Sequence, residues 1–195
     1  LENAGITISS GMMVPCNNTL SNNTIYGCFV GIYLEGTDNE TIEDNILFEN
    51  YWGIDLFRSV NNTMDGNTIT NNSRGIYLDQ SPYNDIINNY IAGNIDMFMG
   101  PSGIHIDEGS NHTNITHNTI TGNDVGIYVY GGNMSAGYEN VDTQIHYNDI
   151  YGNWIYGLIY DINEAEGTPW INATYNWWGA ANGPGSFENS QQDPI

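Results

Sequence analysis

Residues Asn61 to Leu78 read N-N-T-M-D-G-N-T-I-T-N-N-S-R-G-I-Y-L, and the chain repeats this pattern. The same pattern runs from Asn39 to Leu56 and from Asn17 to Leu34, so the three copies start 22 residues apart. A fixed period of this size is typical of stacked structural repeats. The sequence therefore predicts a solenoid in which each copy forms one coil.

Each copy contains short apolar segments in which buried and outward positions alternate. Ile76 and Leu78 flank Tyr77 in this way, and Asn and Gly separate one segment from the next. Alternation with a period of two predicts strands, while Asn and Gly accept the left-handed backbone of sharp turns. Three short strands cannot form a core alone. The coils must therefore stack about 4.8 Å apart as parallel sheets around a shared interior.

Two columns of polar residues emerge when the copies are aligned on a buried strand residue. The first column contains Asn23, Asn45, Asn67, Asn89, Asn118, Asn148 and Asn176. The second column, five residues later, contains Cys28, Asn50, Asn72, Asn94, Asn123 and Asn153. Stacked amides can hydrogen-bond along a pile of identical turns and so satisfy one another when buried. The columns predict an asparagine ladder.

The pattern N-x-T-I-x-x-N-x-I-x-x-N-x-x-G-I-Y-L resembles the repeats of NosD-like proteins and of the carbohydrate-binding and hydrolase superfamily of β-helices. The closing run from Asn172 to Pro184 resembles the ending of large surface proteins of methanogenic archaea. This resemblance implies an all-β, right-handed parallel β-helix, which we expect to have about seven coils. The fold hosts lyases, hydrolases, adhesins and structural fibres alike.

The repeat runs without a linker, which predicts a single domain spanning residues 1–195. We expect a partial first coil at 1–16, coils with loop insertions over 17–171, and a terminal cap and tail at 172–195. The insertions are predicted at 95–102, 131–142 and 161–171. Met97, Phe98 and Met99 predict an assembly contact, or alternatively a loop that folds back over the coils. Trp177 and Trp178 are predicted to cover the last coil and to contribute to assembly contacts.

The composition is strongly acidic because basic residues are almost missing. Two Lys and Arg residues stand against 23 Asp and Glu residues, which gives a formal net charge of −21. This excludes nucleic-acid binding, which needs a cationic surface. No apolar run is long enough to span a membrane. We predict no cofactor, apart from structural calcium as an option that suits oxygen ligands, and no residue pattern identifies another metal site.

Nine Asn-x-Ser/Thr sequences are candidate glycosylation sites, although an Asn- and Thr-rich repeat also creates them by chance. They begin at Asn17, Asn22, Asn39, Asn61, Asn71, Asn111, Asn114, Asn133 and Asn172. Cys16 and Cys28 are candidates for a disulfide within or between chains. A plain buried thiol at Cys28 is the alternative.

The outward positions of the Gly-Ile-x-Leu strand bring chemically active residues into register. Tyr33, Tyr77 and Tyr128 are candidates for stacking on sugars, or alternatively form a packing ladder between coils. A candidate catalytic cluster consists of Asp55, Asp79, His105 and Asp107, since paired carboxylates can carry out acid–base catalysis. The alternative is that these acids are simply solvated. The only cations, Arg58 and Arg74, belong to no recognisable motif of a lyase or hydrolase.

These observations led us to predict a structural protein and not an enzyme. We expect a non-catalytic protein of a cell envelope, extracellular or on the cell surface, that assembles with itself into a filament, sheath or surface layer. Glycans are a further candidate partner. The alternatives are a carbohydrate-active enzyme (polysaccharide lyase, epimerase or hydrolase) and a glycan-binding module on the same scaffold.

Overall fold

The structure is a computed structural model that describes residues 3–15, 17–95, 102–130, 132–133, 138–139, 142–161 and 171–179. For residues 11–15, 132–133 and 138–139 it describes the backbone only. The described residues form strands and turns and contain no helix. No described segment could therefore cross a membrane as a helix.

Sheet A is the longest sheet and carries the Gly-Ile-x-Leu strand of every coil. Its strands, in spatial order, are β1 (Ala4–Pro15), β4 (Val30–Asp38), β7 (Trp52–Phe57), β10 (Arg74–Asp79), β13 (Ser102–Ile106), β16 (Val125–Tyr130) and β21 (Tyr156–Asp161). All neighbours pair in parallel.

Sheets B and C form the other two walls of the solenoid and use strands of three residues. Sheet B contains β2 (Thr19–Ser21), β5 (Thr41–Glu43), β8 (Thr63–Asp65), β11 (Asp85–Ile87), β14 (Asn114–Thr116) and β19 (Gln144–His146). Sheet C contains β3 (Thr24–Tyr26), β6 (Ile46–Phe48), β9 (Thr68–Thr70), β12 (Tyr90–Ala92), β15 (Thr119–Thr121) and β20 (Asp149–Tyr151). A separate antiparallel pair joins β17 (Gly132–Asn133) to β18 (Tyr138–Glu139).

Equivalent positions of successive coils are direct neighbours, as the 22-residue period predicts. Ile54 pairs with Ile76, which pairs in turn with Ile104 although 28 residues separate the last two. The insertions therefore leave the solenoid at its corners without shifting the register. The result is the right-handed parallel β-helix that the sequence predicted.

The core consists of inward-facing aliphatic side chains stacked in columns. Ile32, Leu34, Ile42 and Leu47 represent the four columns of one coil, and all four are fully buried. Stacking identical or similar aliphatic residues at each coil excludes water along the whole axis, which provides the main stabilisation of the fold.

Both predicted asparagine columns form hydrogen-bonded ladders. In the first ladder, Asn67 Nδ2 donates to Asn89 Oδ1 at 3.0 Å, and Asn45 Nδ2 donates to Asn67 Oδ1 at the same distance. In the second, Asn72 Nδ2 donates to Asn94 Oδ1 at 3.0 Å. Each Oδ1 also accepts the backbone N–H of the preceding coil, so a single amide satisfies several buried groups.

A third polar ladder lies at the corner between sheets A and B and was missed by the sequence analysis. Asn62 Nδ2 donates to Asn84 Oδ1 at 2.9 Å, and Glu40 N donates to Asn62 Oδ1 at 2.9 Å. The backbone N–H of Ser59 donates to Ser81 Oγ at 3.1 Å. The available signal was spacing, because Asn62 and Asn84 precede members of the first ladder by five residues.

Replacing Asn67 with alanine is expected to destabilise the fold by about 3 kcal/mol, because several buried groups lose their partners together. Asn45 would lose its acceptor, and the Ile42 carbonyl would lose the donor that lies 2.8 Å away. Chemical denaturation would measure the loss. The control is Asn114→Ala on the outer side of β14, where a change below about 0.5 kcal/mol is expected. Equal losses for both variants would contradict a special role of the ladder.

Several smaller predictions fall on described residues. Trp178 packs against the core cluster, whereas Trp177 is about half exposed. Cys28 is partly buried, and its thiol lies 3.5 Å from the Tyr26 carbonyl oxygen. Its proposed partner Cys16 lies outside the described residues, as do Met97, Phe98 and Met99, so the disulfide and this assembly contact stay predictions.

Five of the sequon asparagines occupy exposed corners with a positive φ, so turn geometry already accounts for asparagine there. They are Asn17, Asn22, Asn39, Asn61 and Asn71. Glycosylation at any of the nine sequons stays a prediction.

Candidate functional site

The outer face of sheet A brings the predicted site residues onto neighbouring coils. Asp55 pairs with Tyr33 on one side and with Tyr77 on the other, and the column continues through His105 to Tyr128. Because strands alternate, these side chains point away from the core that Ile54 and Leu56 enter. Asp79 and Asp107 lie two residues further along their strands, on the same face.

Asp55 is buried although it lies on the outside of the sheet. Only 4% of the residue is exposed, and no hydrogen bond from another described residue reaches its carboxylate. Burial, reinforced by the nearby Asp79, raises the pKa of Asp55 to about 7, while Arg74 acts in the opposite direction. A carboxyl group of this kind is half ionised near neutral pH and can accept or donate a proton there.

Two tyrosine hydroxyls are held by carboxylates on the next coil. The Tyr77 hydroxyl donates to Asp107 Oδ2 at 2.8 Å, and the Tyr128 hydroxyl donates to Asp161 Oδ2 at 2.6 Å. Burial first, and then these hydrogen bonds, raise the pKa of both phenols, so both remain protonated. His105 Nε2 lies 3.9 Å from Asp107 Oδ2. Asp55, Tyr77, His105 and Asp107 therefore form one continuous group.

A row of aromatic rings runs beside Asp55 along the axis of the solenoid, and we call it the aromatic track. Its members are Phe29, Tyr51, Trp52, Tyr77, His105 and Tyr128, and consecutive ring centroids lie 4.6 to 5.7 Å apart. From β4 to β16 the track crosses four strand spacings, or about 19 Å. Flat rings in an elongated row suit a linear chain better than a compact ligand.

The sequence predicted part of this arrangement and missed another part. Asp55, Asp79, His105 and Asp107 come together on one face, and Tyr77 and Tyr128 lie among them. Only 8% of Tyr33 is exposed, and burial is the main cause that raises the pKa of its hydroxyl to about 12. It therefore packs against Asp55 and offers little open ring surface. Trp52 was missed because its position in the other coils is occupied by residues as different as Val30.

The family of this chain follows from the sequence match. Residues 2–182 match the family described as periplasmic copper-binding protein (NosD). This chain belongs to the NosD family. Its repeat pattern had predicted this membership, which is confirmed. No curated protein matches the sequence.

Two solved structures from Azotobacter vinelandii are similar to this NosD-family chain. The A-module of mannuronan C-5 epimerase AlgE4 is 18% identical, covers 82% of this chain and has a TM-score of 0.49. The A-module of mannuronan C-5 epimerase AlgE6 is 17% identical, covers 73% and has a TM-score of 0.45. This chain spans 60% and 44% of those two chains. At these identities the likeness concerns the fold alone.

Our prediction that this protein is not an enzyme is wrong, because both similar structures are enzymes on the same fold. The prediction had rested on the scarcity of Lys and Arg. That scarcity removes one kind of base but leaves a carboxylate base such as Asp55 available. The low identities assign no particular activity to this chain.

The described residues do not fit the copper that the family description implies. Copper takes imidazole, thiolate and thioether ligands, and no three His, Cys, Asp or Glu side chains of the described part could share one ion. The histidines have other contacts: His112 stacks on Tyr83, and His146 bonds Thr174 and Gln144. Structural calcium stays a prediction.

Proposed function

We propose that this protein is a carbohydrate-active enzyme whose site is the outer face of sheet A around Asp55. One observation carries the proposal: Asp55 is buried on an outward face without a hydrogen-bond partner among the described residues. Burying a carboxylate in this way costs stability, and such groups are concentrated at functional sites. The rings of the aromatic track other than that of the buried His105 supply a surface on which a saccharide chain can stack.

The chemistry would be proton transfer to and from a bound sugar. Asp55 is the candidate base, because half of it is ionised near pH 7. The Tyr77 hydroxyl stays protonated and donates its proton to Asp107, so its oxygen is a candidate acceptor for a sugar hydroxyl. His105 lies between the rings of Tyr77 and Tyr128 and helps to orient them. A lyase, an epimerase and a hydrolase all need a proton acceptor of the kind that Asp55 provides.

The test is turnover of a panel of neutral, amino and acidic polysaccharides by the wild type and by Asp55→Asn. New reducing ends, ultraviolet absorbance of unsaturated products and proton NMR of ring stereochemistry would report the three reactions. We expect one substrate to react, with a loss of at least about 100-fold in Asp55→Asn. The control Asp149→Asn, on the exposed side of β20, should keep full activity. Turnover that is equal in both variants would contradict the proposal.

The setting and the partners are also inferred. We infer that the protein acts outside the cytoplasm, supported by the periplasmic description of its family. Trp154, Tyr175 and Trp177 expose large apolar surfaces on the last coils, at 75%, 76% and 48%. These exposed side chains support self-association, so assembly into a filament, sheath or surface layer stays a prediction alongside the enzymatic role. The likeness to archaeal surface proteins stays a prediction as well.

A further inference from the structure

The site face is negatively charged in the region where a substrate would lie. Its carboxylates, among the described residues, are Glu35, Asp55, Asp79, Asp107, Glu108 and Asp161. The cations are Arg58 and Arg74, which are also the only two in the sequence. The whole chain carries a formal charge of −21, so no other region supplies compensating positive charge.

Both arginines are already engaged with groups of the face itself. Arg58 Nε donates to Gln80 Oε1 at 3.1 Å, and its guanidinium lies 4.7 Å from the centre of the Phe57 ring. Arg74 lies 4.9 Å from the centre of the Tyr77 ring and favours the ionised form of Asp55. Arg58 is exposed, but two guanidinium groups are outnumbered by the six carboxylates of this face.

Asp79 and Asp107 face each other across neighbouring strands. Leu78 pairs with Ile106, so the residues that follow them, Asp79 and Asp107, lie opposite each other on neighbouring strands. Like charges in this arrangement are destabilising. Burial and the charge of Asp107 raise the pKa of Asp79. A cation bound between the two carboxylates would remove this repulsion.

Asp55 supplies a second observation, since its carboxylate lacks a hydrogen-bond donor among the described residues although Arg74 lies near enough to favour its ionised form. Asp55 is more than nine-tenths buried, and it lies close enough to Asp79 for the two charges to interact. The rings of Trp52 and Tyr128 border the same region and offer apolar surface on which a sugar ring can stack. Carboxylates and rings together form a surface for an organic cation attached to a flat apolar body.

We propose that the saccharide bound on this face is an amino-sugar polymer with protonated amino groups. The inference rests on the proposed function, namely that this face is a carbohydrate site, and it names the substrate class. The ammonium groups would lie against Asp79 and Asp107, while the sugar rings stack on the aromatic track. A polyuronate is disfavoured, because its carboxylates would meet an uncompensated negative field within one Debye length, about 8 Å at physiological salt.

Calorimetric titration of the intact chain with three short oligomers tests this proposal. The oligomers are glucosamine, N-acetylglucosamine and galacturonate, each at low and at physiological salt. We expect glucosamine oligomers to bind at least about tenfold more tightly than the N-acetylated ones. Only the free amino group of glucosamine can form an ion pair with a carboxylate of this face. The advantage should shrink with salt, and the double variant Asp79→Asn/Asp107→Asn should lose it. Circular dichroism would confirm that the variant is folded.

A sugar-free polyamine such as spermine separates recognition from simple charge attraction. Trp52→Ala should weaken binding of the glucosamine oligomer and leave spermine binding unchanged. Equal losses for both ligands, or galacturonate binding as tightly as glucosamine, would overturn the proposal. Asp55-dependent turnover of a neutral or acidic polysaccharide would overturn the substrate class alone and leave the proposed function standing. Absence of binding for all three oligomers would count against both.

Discussion

Asp55→Asn is expected to make the folded protein more stable at pH 8 while it removes the proposed activity. The pKa of Asp55 is about 7 in the fold and about 3.9 in an unfolded chain. The fold therefore favours the protonated form. The contribution of protonated Asp55 to the free energy of unfolding is fully present below about pH 4 and is lost as the pH rises through 7. Since Asn carries no charge, the variant escapes this loss.

The shift of about three pKa units corresponds to about 4 kcal/mol at most, because each unit is worth about 1.4 kcal/mol. Urea denaturation of wild type and variant at pH 4.5 and pH 8 would measure the effect. We expect similar stability at the lower pH and an advantage of about 3 to 4 kcal/mol for the variant at the higher pH. The pKa of Asp79 is also raised, and its charge acts on Asp55, so the loss of stability with pH is spread over a broader range.

The matched control is Asp149→Asn, whose exposed side chain lies on sheet C. The difference between this variant and the wild type should not change with pH. A loss of stability in Asp55→Asn at pH 8 would show that the ionised Asp55 is well compensated in the fold. A simultaneous gain in stability and loss of turnover is the pattern expected of a functional group retained at a cost.

Gly75→Ala is expected to destabilise the protein by about 4 kcal/mol, an unusually large effect for one added methyl group. The new Cβ would collide with the Gly103 carbonyl oxygen of the next coil. It would also come within 3.0 Å of Ile91 Cγ2 and 3.2 Å of Asn94 Nδ2. Relief would require the coils to separate, which would disturb the second asparagine ladder and the parallel pairing of β10 with β13.

Gly27→Ala provides a control for this variant. Gly27 has a positive φ of 69°, and a Cβ there would meet nothing within 4 Å. Its replacement should cost about 1 kcal/mol, from backbone conformation alone. Denaturation midpoints of the two variants would compare the costs. A loss at Gly75 no larger than that at Gly27 would mean that the coils can move apart easily.

The scaffold could be predicted from the sequence because its determinants recur at fixed spacing. Asn67 and Asn72 are five residues apart, and the same pair returns in the neighbouring coils, so the ladders appear as columns in the sequence. The third ladder was missed because its members change type. The positions equivalent to Asn62 and Asn84 hold Glu40 and Thr113 in other coils. A column of different residue types is not recognisable as a repeat in the sequence.

The enzyme prediction failed for a different reason. It relied on counting residue types, and two cations among 195 residues suggested that no base was available. Composition does not report the environment of a carboxyl group. Asp55 looks like any other outward aspartate in the sequence, and acidic residues in such positions are usually solvated. In the structure it is nearly as buried as the core residues beside it.

A 22-residue period dictates which residues stack, so the sequence alone was enough to predict the parallel β-helix, the register of its coils and the family. The burial of Asp55 and the continuity of the aromatic track became visible only in the folded chain. Both properties depend on Tyr33 and Tyr77, which belong to the coils on either side of Asp55 and Trp52 and meet them only after stacking. Burial and electrostatic fields are sums over neighbours in space, and the spacing along one coil does not contain them.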